Sequence, residues 1–139
     1  TSAIENSRKD QTLNTPAVAT LIMLENQVRW LNDNGGLAWA SARCARSASL
    51  LYQWAEKSDY ASPFVADKNA RSNAVVTIDL DERISATQVV AALRENGIVA
   101  TNGYRKLGRD QLRIGVFPSV DPSDVDALTR CIDYVVEHL

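Results

Sequence analysis

The apolar residues of this chain change their spacing once, near Asp59, and that switch restricts the fold more than any other feature. Upstream, Val18, Leu21, Leu24, Val28 and Leu31 recur at helical intervals. Asn14-Thr15-Pro16 reads as a helix start, with Thr15 as the cap and Pro16 at the first helical position. Gly35 is the expected stop, so residues 16–34 make a rod of ~28 Å. A second helix follows Gly36 and runs to about Lys57, rich in small residues that permit close packing. Downstream the period shortens. Val75–Leu80 alternates, with Val76, Ile78 and Leu80 on one side. Ser85-Ala-Thr-Gln88 is a capping box for a helix ending near Gly97. Ile98-Val-Ala100 reads as a short edge strand, and Leu112–Phe117 as a further strand. Asp121-Pro122-Ser-Asp124 starts a last helix, whose stripe is Val125, Leu128, Ile132, Val135 and Leu139.

That order predicts an α+β fold: a small mixed or antiparallel sheet with helices packed on one face, preceded by two long helices. The expected organisation is a polar, unpatterned connecting segment over 1–15, two long helices over 16–57, and an α/β domain over 58–139. A chain of 139 residues with 45% apolar content is an ordered globular protein. Its apolar runs fall short of a bilayer span, and no signal-peptide pattern is present. Cys44 and Cys131 fall in helical patterns without a CxxC neighbour, which predicts small buried hydrophobes in a reducing cytoplasm. The start at Thr1, without Met, is compatible with processing or with a piece of a longer protein.

One segment carries chemistry. Gly103–Pro118 holds four cations (Arg105, Lys106, Arg109, Arg113) and one anion (Asp110), in a chain with Lys+Arg 15 against Asp+Glu 17. Like charges crowded on a short turn oppose folding, so the island needs a reason. Arg113 sits where Leu112, Ile114 and Val116 face the core, so it shares the other face with Gly115. Beside that glycine there is room for a group to lie against the backbone. A guanidinium there suits a carboxylate, held by two parallel hydrogen bonds. An arginine on the wet face of an ordinary strand is the alternative. Asn14-Thr15 at a helix start suits a phosphate, or simply caps the helix.

Other chemistries lack their residues. One histidine, His138, and scattered serines make no catalytic triad, and metal ligands at working spacing are missing. His138 reads as a favourable charge at a helix end. Trp30, Trp39 and Trp54 read as packing residues. Tyr104 beside the cations could stack on a base, but the chain is acidic overall and the patch is small, which argues against nucleic acid. What stands on the residues alone is either a regulatory module for a small anionic metabolite or half of an enzyme whose reactive group lies elsewhere.

Asn14-Thr15-Pro16, Asn34-Gly35-Gly36-Leu37, Arg71-Ser72, Gly97-Ile98-Val99 and Gly103-Tyr-Arg-Lys-Leu-Gly-Arg-Asp-Gln-Leu-Arg113 follow one another in this order. That order resembles the C-terminal part of phosphoserine aminotransferase, particularly its actinobacterial branch, over essentially the whole chain. The family consists of homodimeric, cytoplasmic enzymes of the aspartate-aminotransferase fold that use pyridoxal 5'-phosphate. They convert 3-phosphohydroxypyruvate and glutamate into phosphoserine and 2-oxoglutarate for serine synthesis.

The resemblance implies that Arg113 grips the substrate α-carboxylate and that Arg105 and Tyr104 meet its phosphate. It implies that Asn14 and Thr15 reach the cofactor phosphate across the dimer. Tyr104 departs from better-known members, which carry His there, so Lys106 or Arg109 becomes the expected source of the missing cation. The turn is also two residues longer. The family's Schiff-base lysine belongs to a large domain upstream, and Lys9, Lys57, Lys68 and Lys106 do not match its motif. The expectation is therefore a fragment inactive by itself, partnered by that large domain, with apolar surface exposed on the 16–34 helix.

Overall fold

The computed structural model describes residues 2–104 and 107–139. Arg105 and Lys106, and the roles expected of them, lie outside the described residues. The chain forms two compact units, one ending at Leu37 and one spanning Ala38–Leu139.

The first unit holds helix α1 (Ser2–Ser7) and helix α2 (Val18–Asp33). The connecting segment expected over 1–15 thus contains one short helix. Thr15 does not cap α2. The helical ladder first closes on the carbonyl of Ala17, which accepts from Leu21 at 3.0 Å, and the Ala17 position has no side-chain cap. Asn34 ends the helix with Gly35 at φ 111°, as the glycine predicts. None of the α2 residues is buried: Val18, Leu21, Ile22, Met23, Leu24, Val28 and Trp30 are all exposed. The apolar stripe read from the spacing is real and faces outward.

Helix α3 (Gly36–Lys57) leads into the second unit. There strands β1 (Ala61–Pro63), β2 (Val75–Leu80) and β3 (Gln111–Gly115) form an antiparallel sheet in the order β1-β2-β3. Helix α4 (Ala86–Glu95) separates β2 from β3, and helix α5 (Pro122–His138) closes the chain. Val76, Ile78, Leu80, Leu112, Ile114 and Val116 form one face of the sheet, and they join Leu51 of α3, Leu93 of α4 and Ile132 of α5 in one core. The α+β reading holds, with the sheet purely antiparallel.

Two strand expectations change. β1 carried no periodic signal because it is three residues long and ends in Pro63, which an edge strand tolerates. The segment 98–100 is not a strand. Ile98 is used by the end of α4, where its N–H donates to Leu93 at 2.9 Å while Gly97 donates to Arg94 at 3.0 Å. That pairing closes the helix with Gly97 at φ 81°. Ala100 then takes φ 63°, which breaks an extended run. Contact with β3 begins only where Arg113 N–H donates to the Thr101 carbonyl at 3.0 Å and Asn102 bridges Leu112.

The cysteines also differ from expectation. Cys44 is half-buried and Cys131 exposed. The buried stripe of α5 runs through Val125, Thr129 and Ile132, which turns Cys131 outward. Trp54 does pack: its Nε1 donates to Asp133 at 2.9 Å, and Tyr60 Oη donates to the same oxygen at 2.6 Å. Burial, reinforced by that carboxylate, pushes the Tyr60 hydroxyl far above its ordinary pKa. His138 stacks on Tyr134 at the end of α5, with ring centres 4.1 Å apart.

Candidate functional site

The face of the sheet opposite the core carries the polar residues. Register pairs Thr77 with Arg113, Asp79 with Gln111 and Val75 with Gly115, so these six residues share one face of the sheet. Arg113 is exposed there, as its alternation predicts. Its guanidinium carbon stands 6.0 Å from the centre of the Tyr104 ring, within range of a cation–π contact. Among the described residues no carboxylate pairs with it. Arg113 and Tyr104 border one hollow of ≈ 980 Å³, together with Arg94 of α4, Asn102, Gly103 and Arg109.

The open space expected beside Gly115 is filled. A Cβ at Gly115 would meet the Phe117 ring at 2.8 Å, so the ring of a neighbour lies over the glycine. The close approach lies instead at Gly103, where a Cβ would come within 2.7 Å of the Gln111 carbonyl oxygen. That contact seats the chain before Tyr104 directly against β3.

Arg109 is not a spare cation. Its Nε and terminal nitrogen donate to both oxygens of Asp79 at 3.1 and 2.8 Å, a fork-on-carboxylate pair. The Phe64 ring lies under the same guanidinium at 5.4 Å. Gln111 adds a third donor to Asp79 at 2.7 Å. Sequence reasoning offered Arg109 as a replacement charge for Tyr104 and overlooked Asp79 and Gln111. Their partnership depends on a register that becomes visible only when β2 and β3 pair.

Asp110, the anion of the cationic segment, is also engaged: it accepts the Ala86 N–H at the start of α4 at 2.9 Å. Ser85 accepts from Gln88 N–H at 3.4 Å, the half of the capping box that depends on the serine. Arg71 of the Arg71-Ser72 motif has a structural post. It pairs with Glu56 at 2.6 Å, donates to the Val65 carbonyl and lies over the Tyr52 ring at 4.9 Å. Hydrogen bonds from Arg71 and Lys68 hold the Glu56 carboxyl below its ordinary pKa. Asn14 and Thr15 are exposed, and their side chains make no hydrogen bond among the described residues. They belong to the first unit, whereas Tyr104 and Arg113 belong to the second. Among the described residues no acidic, cysteine or histidine cluster could hold a metal, and no helix is long and apolar enough to cross a membrane.

The architecture is that of aminotransferase structures. A phosphoserine aminotransferase from Bacillus circulans subsp. alkalophilus superposes on 90% of this chain with a TM-score of 0.81 at 25% identity, and the match covers 34% of that protein. A cysteine desulfurase from Escherichia coli matches 94% of the chain, with a TM-score of 0.70 at 26% identity, over 33% of its own length. In sequence, the phosphoserine aminotransferase of Rhodococcus opacus is 61% identical over 137 residues, and that of Rhodococcus jostii 60% identical. A putative phosphoserine aminotransferase of Mycobacterium avium is 58% identical. The alignments cover 99% of this chain, and the chain spans 37% of the length of these relatives. No family model matches the chain. Over almost its whole length the chain is thus similar to a part, little more than a third, of phosphoserine aminotransferases.

Proposed function

We propose that this chain is the substrate-gripping part of a cytoplasmic, homodimeric phosphoserine aminotransferase. The parent converts 3-phosphohydroxypyruvate and glutamate into phosphoserine and 2-oxoglutarate. The observation that carries the reading is Arg113: a guanidinium with no carboxylate partner among the described residues, beside Tyr104 on the rim of a shared hollow. A planar fork left unpaired on a strand is ready to accept a substrate carboxylate in bidentate fashion. Tyr104 contributes a phenol that donates one hydrogen bond to the phosphate end, and Arg105 contributes the charge.

Asn14 and Thr15 fit the cofactor's phosphate, since an amide and a hydroxyl stand exposed and unengaged at one point of the chain. Pyridoxal 5'-phosphate supplies the electron sink that lets an amino group pass between carbon skeletons. The amine that bonds to it belongs to the large domain outside this sequence. This chain binds, orients and discriminates.

The test is substitution in the full-length enzyme. Arg113→Ala weakens kcat/KM by about 2–5 kcal/mol, the usual consequence of stripping one partner from a buried charged pair. Unchanged kinetics with phosphoserine would refute the assignment. Arg105→Ala lowers the preference for phosphoserine over serine, and equal losses for both substrates would remove its phosphate role.

A further inference from the structure

Arg113 works on a face that already contains a carboxylate. Asp79 stands opposite Gln111, two paired positions along from the Thr77–Arg113 pair and therefore on the same face. Such diagonal neighbours on one face lie ~7–8 Å apart at the backbone, well within the reach of an arginine side chain. The Asp79 side chain is only 17% exposed, so water screens it poorly. An unengaged Asp79 would be a strong intramolecular competitor for the guanidinium that a substrate needs.

Three donors occupy it. Arg109 covers both carboxylate oxygens at 3.1 and 2.8 Å, and Gln111 adds the amide at 2.7 Å. Arg109 brings the charge that cancels that of Asp79, and the Phe64 ring stands 5.4 Å from the same guanidinium. The pairing settles which of two arginines on one ribbon is consumed by the fold. Arg109 takes the acid, and Arg113 has no acid partner among the described residues.

We infer that Arg109 is a positioning residue for substrate binding: by saturating Asp79 it keeps Arg113 free for the incoming carboxylate. The inference rests on the reading of Arg113 given above. Removing Arg109 lets Asp79 draw Arg113 away, so only a fraction of molecules bind substrate competently and the apparent affinity falls by that fraction.

Steady-state kinetics of the full-length enzyme with phosphoserine test this. Arg109→Met raises KM about tenfold with little change in kcat. Asp79→Asn leaves KM near the parent value, and Arg109→Met combined with Asp79→Asn restores KM to within about twofold of it. A purely structural ion pair would give no such rescue. The inference is overturned if Arg109→Met leaves KM unchanged, or if the double variant is as poor as the single. Arg109→Gln takes the place of Arg109→Met should that variant not yield folded enzyme. Arg113→Ala separates the two ideas. If it raises KM and Arg109→Met does not, only the shielding role fails; if it leaves KM unchanged, the carboxylate assignment fails and takes this inference with it.

Discussion

At the scale of single residues, two glycines of one segment have opposite meanings. Gly115 faces the edge of an exposed phenyl ring, and Gly103 faces backbone. A ring on a flexible side chain can swing aside, whereas a carbonyl in a paired strand cannot. Gly103→Ala therefore costs about 1–3 kcal/mol by overpacking, and Gly115→Ala costs clearly less. Urea unfolding of the two variants side by side checks the ordering, and equal losses would contradict it. Pattern alone marked Gly115 as the place where a backbone is approached, because it shares a face with Arg113. The real approach, at Gly103, was hidden because its partner lies eight residues on and meets it only through the bridge of Asn102 to Leu112. Arg113 itself was legible: strand alternation is enough to place a lone cation among apolar neighbours on the outer face. Its lack of an acid partner among the described residues was not, since Asp79 is distant in sequence.

At the scale of elements, caps carry much of the organisation. Helix α5 starts on Asp121, which accepts from the Ser123 N–H at 2.9 Å and the Ser123 hydroxyl at 2.7 Å. Arg43 of α3 reaches the same carboxylate at 2.9 Å. Those bonds to Ser123, then Arg43, hold the Asp121 carboxyl well below the usual carboxylate range. A lowered folded-state pKa means stabilisation that is complete above the unfolded value of about 3.9 and is lost as pH falls below it. Thermal midpoints followed from pH 7 into this acid range decline less steeply in Asp121→Asn than in the parent; parallel declines would exclude Asp121 as a source of the acid sensitivity. Helix α4 depends on an acceptor from outside its own sequence, Asp110, bonded to the Ala86 N–H. Loss of that acceptor in Asp110→Ala costs about 0.5–2 kcal/mol, as for other helix-start acceptors, measured by denaturant unfolding. The Ser85 cap was readable in the sequence because its partner is three residues away. The Asp110 contact, spanning 24 residues, was not.

At the scale of the whole molecule, α2 presents an apolar stripe with no buried member. Exposed contiguous apolar surface of this kind drives association. The 139-residue chain by itself therefore sediments as concentration-dependent oligomers, and Leu21→Lys with Leu24→Glu shifts it towards monomer; a monodisperse monomer of the parent sequence at high concentration would contradict this. The core is less forgiving. Leu51 of α3 is fully buried in the core, so Leu51→Ala costs about 2–5 kcal/mol. Periodicity was sufficient to define the long helices, the β2 and β3 strands and the apolar faces, because those depend on neighbours within a few residues. The short β1 strand depended on pairing with β2, a segment well removed along the chain. The chain's own residue order thus determined which arginines stood available on the ribbon. Only the pairing of β2 with β3, which carries Asp79 to Gln111 and Arg109, decided which of them the fold would use up.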